Sequence, residues 1–193
     1  GESSKLFIHD IDQGLFSWTM QKIASLYWDF NYTRVKYECK MDFQKVFPYH
    51  DKDHLLNKGA IHHDIDISGV TLAGLVYLNK DIGKDAGTSI YDLKKEHQFY
   101  SPSSLYLESL KKYHSGEDVK NIEEIVENHA NKFEETLRVQ NKYNRMILYS
   151  PELWHGPTTY GDEIRYILRF FVHHLTSVDQ SYPLARKPTF RFL

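Results

Sequence analysis

His62 and Asp64 stand one residue apart in Ile61-His62-His63-Asp64-Ile65-Asp66, and a further histidine, His155, follows far downstream. Side chains of a strand alternate with period two, so His62 and Asp64 would share a face, bringing an imidazole beside a carboxylate. His155, from a later element, would complete a set of two histidines and one carboxylate. On octahedral iron(II) such a facial set leaves three positions open for exchangeable ligands, which is what oxygen chemistry requires. A His-x-Asp tripeptide alone is also what a polar edge strand carries. Asp66 has the parity of His62 and Asp64 and would replace Asp64 if a bulge shifted the register. His63 and Asp66 are otherwise neighbours that could support the ligands.

Arg165 carries a second signal. In Ile164 to Val172, one parity holds Arg165, Ile167, Arg169 and Phe171, and the other holds Tyr166, Leu168, Phe170 and Val172. An arginine inside such an apolar strand pays a heavy desolvation cost unless an anion meets it. A planar guanidinium clasps a carboxylate with two parallel hydrogen bonds, so a carboxylate ligand is the natural partner. Arg169 is the rival on the same face, and for it pairing with an internal Asp or Glu is the favoured explanation. His50 and His54 have a spacing that could place two ligands on one helical face, but Pro48 and the run Asp51-Lys52-Asp53 point to a loop without a metal. Lys94-Lys95, Lys111-Lys112 and His173-His174 are expected to face solvent.

These residues need elements to hold them. Gln13 to Asp29 has apolar positions at helical spacing, and Thr33 to Lys40 alternates as a half-buried strand. Ala60 to Asp66, Leu72 to Leu78 and Gly87 to Tyr91 are further strands, with a turn at Ser68-Gly69. Ser101-Pro102 opens a helix with an N-cap and a first-turn proline. Ser115 with Asp118 can form a capping box for a second helix, whose apolar positions run from Ile122 through Phe133 to Leu137. Arg145 to Ser150 and Ile164 to Val172 are strands again, with His155 in the loop between them. Strands before and after a helical insert at about 101–140 predict a mainly β chain with helices, of α+β type. The expected architecture is a double-stranded β-helix (jelly roll, cupin-like) with an N-terminal helix, built as one domain over 1–193.

With 41% hydrophobic and 15% aromatic residues in 193, the chain can bury a core. A formal charge of -2 provides no basic field for nucleic acid or an anionic membrane. Cys39 is the only cysteine, which excludes an intrachain disulfide and a thiolate cluster and suits a reducing, cytoplasm-like compartment. No apolar run approaches the roughly 20 residues that span a bilayer, and the start lacks a signal-peptide pattern.

The ordered motifs His62-x-Asp64, Tyr77-Leu78-Asn79, Gly87-Thr88, His155 and Arg165-Tyr166 cover Ala60 to Val172, and there the chain resembles the prolyl-4-hydroxylase-like branch of the iron(II)/2-oxoglutarate dioxygenases. The resemblance implies Fe(II), 2-oxoglutarate and O2 as cofactors, with ascorbate as an optional reductant. It implies His62, Asp64 and His155 as the metal ligands and catalytic centre, Arg165 as the clasp for the far carboxylate of 2-oxoglutarate, and a supporting phenolic hydrogen bond from Tyr77. The implied activity is hydroxylation of an amino-acid side chain such as a prolyl residue, with release of succinate and CO2. The chain departs from the pattern in its long insert and in Ala86, where many relatives have a first glycine. The departures leave the substrate open among peptide, protein and small molecule, and the oligomeric state is open too. Two other readings compete. A nucleic-acid base demethylase of the same superfamily expects Arg-x-Asn, whereas Ile167 fills the Asn position, so nucleic acid is disfavoured. A non-catalytic jelly-roll binding module could keep fragments of the motif. Trp154 and Tyr91 are either cavity wall or plain core.

Overall fold

A computed structural model of the protein describes residues 5–27, 36–48, 60–65, 69–80, 82–83, 85–115 and 117–176. In chain order the elements are β1 (Lys5–Ile8), α1 (Gln13–Ala24), β2 (Lys36–Val46), β3 (Val70–Tyr77), β4 (Thr88–Leu93), a 3-10 turn (Lys95–His97), α2 (Ser104–His114), α3 (Ile122–Ala130), β5 (Phe133–Val139), β6 (Met146–Tyr149), β7 (Trp154–Pro157) and β8 (Arg165–Thr176). A five-stranded sheet runs β1-β2-β8-β3-β6 and a three-stranded sheet β5-β4-β7. All pairings are antiparallel. The chain alternates between the sheets, with β3 in the large one, β4 and β5 in the small one, then β6, β7 and β8 large, small and large. That crossing pattern makes a jelly roll, as the strand signals predict.

β8 is central in the large sheet and its two faces serve different ends. Leu168, Phe170 and Val172 join Met41, Leu72 and Val76 in a core closed by Met20 and Ile23 of α1. The helix starts at Asp12, whose carboxylate accepts from the Leu15 N–H at 2.9 Å and so satisfies one of the open donors of the first turn. The opposite parity, Arg165, Ile167, Arg169 and Phe171, lines a cavity between the sheets.

Several expectations are corrected. Ala60 to Asp66 forms no strand among its described residues; His62 makes an isolated bridge to His155, and Asp66 lies outside the described residues. His155 is not in a loop, because Trp154–Pro157 pairs with β4. The insert is helical only through Ala130, and Phe133 and Leu137 belong to β5 at the free edge of the small sheet. An apolar residue every fourth position fits either period when the run is short, and pairing with β4 decides it here. The cap of α2 is Ser103, not Ser101, and Ser115 ends α2 by donating to the Lys112 carbonyl instead of capping α3. α3 begins after Asn121, which is left-handed at φ 59 and makes no side-chain cap. His173 is buried, while His174 is exposed as expected. His50 and His54, and the start of the strand expected from Thr33, lie outside the described residues.

Candidate metal centre

The two ends of the triad meet because the chain around His62 runs beside β7. The His62 N–H donates to the His155 carbonyl at 2.9 Å, and the His155 N–H returns the bond at 2.8 Å. Gly156 permits the approach, since a Cβ there would lie 2.8 Å from the Ala60 carbonyl oxygen, closer than packed atoms tolerate. Asp64 is turned inward at a bend where its N–H donates to the Pro151 carbonyl at 2.8 Å. Backbone bonds to β7 and the loop before it thus achieve the convergence that strand parity would have given.

The ligand atoms of His62, Asp64 and His155 all lie within 4.8 Å of one another. His155 Nε2 is 3.4 Å from Asp64 Oδ2, and His62 Nε2 is 3.8 Å from Oδ1. In each histidine the other ring nitrogen faces a carbonyl, His62 Nδ1 that of Ala60 at 3.0 Å and His155 Nδ1 that of Leu153 at 2.8 Å. A carbonyl only accepts, so Nδ1 carries the proton and Nε2 keeps its lone pair toward Asp64. Burial pushes His155 down to about 3, and the neighbouring His62 pushes the same way against the Leu153 hydrogen bond. The contact between His155 and Asp64 is therefore not an ion pair: a neutral imidazole presents its Nε2 lone pair beside the carboxyl group. Burial raises Asp64 above the ordinary carboxylate range, opposed by His62, Arg169 and His63. A divalent cation would reverse that penalty, and the donor set of two imidazoles and one carboxylate suits iron(II).

The cavity beside the triad holds about 110 Å³ and is also lined by Thr88, Tyr149, Tyr160 and Arg165. One water needs roughly 10–15 Å³ by this measure, so there is room for several waters or one small acid. Arg165 is 2% exposed, and its Nε has no hydrogen-bond partner. Among the described residues it makes no ion pair; its guanidinium lies 5.7 Å from the centre of the Tyr77 ring. Burial pulls its pKa down, resisted by Tyr77, Tyr160 and Tyr149, yet an arginine in a protein stays charged. Arg169 instead meets Asp42 on β2 with Nε at 3.1 Å and Nη2 at 2.9 Å, the internal pairing expected for it.

The Tyr77 hydroxyl donates to Thr88 Oγ1 at 2.7 Å, and it is Thr88 that lines the cavity. Gly87, just before it, lies so close to the Val139 carbonyl that no side chain would fit. Asn79 has a role that its place in Tyr-Leu-Asn does not announce. Its amide donates to the Ile164 carbonyl at 2.8 Å and accepts from the Tyr166 N–H at 2.7 Å, bracketing Arg165 from both sides. Sequence reasoning also missed Tyr149, whose ring lies 4.4 Å from that of His155, because a tyrosine near a strand end carries no distinguishing pattern. Trp154 packs on His63 at 4.3 Å and on Phe133 at 4.9 Å, and Tyr91 lies outside the cavity lining, so both belong to the surrounding packing. Burial pushes the Cys39 thiol up to about 12, which keeps it protonated at neutral pH.

Comparison with solved structures gives distant likenesses. A prolyl 4-hydroxylase from Phytophthora capsici aligns at 12% identity and a TM-score of 0.43 over 88% of this chain, which spans only 47% of the hydroxylase chain. HygX from Streptomyces hygroscopicus, crystallised with nickel, 2-oxoglutarate and hygromycin B, aligns at 12% identity and a TM-score of 0.38, over 89% of this chain and 83% of HygX. No curated protein matches the sequence. The model of a family of unknown function, DUF6445, matches residues 44–163, and the chain belongs to that family.

Proposed function

We propose that this protein is an iron(II)- and 2-oxoglutarate-dependent oxygenase. The observation that carries the reading is that one small cavity is lined both by a triad of His62, Asp64 and His155 and by Arg165, a buried cation without a carboxylate partner among the described residues. A metal alone would explain the triad, and an ordinary core would pair the arginine; a chelating dicarboxylic oxo acid accounts for both. When bound, iron(II) with the oxo acid and oxygen supplies the oxidising power that couples release of succinate and CO2 to hydroxylation of a substrate C–H bond.

The chain's own residues have separable tasks. His62 and His155 present Nε2 lone pairs, and Asp64 provides the negative charge. Arg165 holds the far carboxylate of the oxo acid with parallel hydrogen bonds. Thr88 accepts the Tyr77 hydroxyl hydrogen, which leaves its own hydrogen to donate into the cavity. Leu75, Ile167 and Tyr149 wall the space against water. The substrate we propose is an amino-acid side chain such as a prolyl residue, because Tyr77-Leu78-Asn79 followed by Lys80-Asp81 resembles the prolyl-hydroxylase version of that motif.

Anaerobic addition of iron(II) and 2-oxoglutarate should produce a visible metal-to-ligand charge-transfer band in the wild type and none in Asp64→Ala. Absence of the band from the wild type would leave the chain a jelly-roll binding module.

A further inference from the structure

The helical insert hydrogen-bonds the segment that carries His62 through the side chain of His129. His129, in the last turn of α3, is 3% exposed, and its Nε2 lies 2.9 Å from the Ile61 carbonyl. Because a carbonyl only accepts, Nε2 carries the proton. Nδ1 then accepts, and the Tyr100 hydroxyl donates to it at 2.8 Å. The ring is stacked on Tyr106 with centroids 4.0 Å apart and packs on Phe133 at 4.9 Å. Both ring nitrogens and the ring faces are thereby engaged, so the imidazole has one orientation.

The carbonyl it holds belongs to the segment that carries a ligand. Ile61 precedes His62, and Ala60, one residue earlier, gives the carbonyl that fixes the His62 tautomer. The His62 side chain is 51% exposed, so packing does not place it as it places His155, at 5%. The backbone that carries it lies in no strand and, among the described residues, has one bridge to β7, so a hydrogen bond that holds this backbone helps to set where the imidazole points. Phe133 also packs on Trp154, which precedes His155 in β7 and lies against His63, so the aromatic cluster around His129 includes a chain neighbour of each histidine ligand.

We infer that His129 is a positioning residue for the metal centre, acting through the Ile61 carbonyl to hold the His62 imidazole in ligating geometry, with Tyr100 locking its tautomer. This rests on the metal-centre reading above. It gives the insert a task at the metal in addition to any contact with substrate. A plain structural role for a buried histidine would show as lost stability without a change in metal affinity.

Manganese(II) titration followed by electron paramagnetic resonance, with melting of the metal-free protein measured in parallel, separates the two. His129→Leu should weaken manganese binding by about tenfold, the lower range for loss of a group that orients a ligand. His129→Gln, whose amide nitrogen can reach the same carbonyl and whose oxygen can accept from Tyr100, should recover most of that affinity even if it melts early. If His129→Leu is too unstable to titrate, Tyr100→Phe is the test, with an expected loss of roughly threefold or more. Wild-type affinity in His129→Leu, or in Tyr100→Phe where that variant stands in, overturns the positioning role alone. A wild-type protein that takes up no manganese overturns it together with the metal centre.

Discussion

Arg165 is the residue whose energetics and chemistry pull in opposite directions. A buried guanidinium without a counter-charge among the described residues destabilises the ligand-free protein, because it loses hydration that the Tyr77 ring and the neighbouring tyrosines only partly offset. Arg165→Met should therefore raise the stability of the metal-free and ligand-free chain by about 1 kcal/mol or more, read by urea unfolding. The same change removes one partner of a desolvated charge pair in the loaded state, a loss of about 2–5 kcal/mol, so the affinity for 2-oxoglutarate should fall at least about thirtyfold. Arg169 lies on the same face of β8 but has Asp42 opposite it, and no such opposition is expected there. The sequence shows both arginines at the right parity and nothing in it assigns Asp42 to one of them, since that pairing depends on the register of β2 against β8.

Two elements owe their place in the site to groups that carry no chemistry. Gly156 lets the Ala60 carbonyl approach β7, and an added methyl would push the His62 segment away. Gly156→Ala should weaken manganese binding by about tenfold or more with the cavity arginine untouched, as measured by the same titration in the presence and absence of 2-oxoglutarate. Asn79 acts at the start of β8, where one amide serves the carbonyl before Arg165 and the N–H after it. Asn79→Ala removes two hydrogen bonds worth about 1 kcal/mol each and should raise the 2-oxoglutarate concentration needed for half-maximal succinate release by roughly tenfold, without loss of metal affinity. The motif Tyr77-Leu78-Asn79 was legible as a string, but the reason for its asparagine was not. That reason lies across the sheet, in a strand 85 residues further on.

At the scale of the whole molecule, buried neutral histidines tie stability to pH. His129 is pushed from 6.5 down to about 4, chiefly by burial, with Lys132 and His62 adding to it and the Ile61 hydrogen bond opposing. Between these values the unfolded chain binds a proton that the folded chain refuses, so falling pH favours unfolding. His155 extends the same effect toward about 3, whereas Asp64, raised by burial, acts in the opposite sense in the acid range. The contribution of neutral His129 to the stability of the metal-free protein should be fully present above pH 6.5 and be lost progressively between 6.5 and 4. His129→Gln should flatten that slope in a melting series across the interval. Among the described residues no helix is long and apolar enough to cross a membrane.

Local periods were enough to expect the two faces of β8, and the strands around an insert to expect the jelly roll, while His62, Asp64, His155 and Arg165 were expected as one centre from the ordered motifs of the resemblance. Only the tertiary structure decided that His62 and Asp64 converge without a strand, that Phe133 to Val139 is a strand and not the end of a helix, and that His129 reaches Ile61. Each of these depends on a partner brought near by the sheets: β7 for His62, β4 for β5, and the 61 carbonyl for α3. A short segment has no energetic preference strong enough to settle its conformation alone, and the hydrogen bonds that settle it come from residues far away in the sequence.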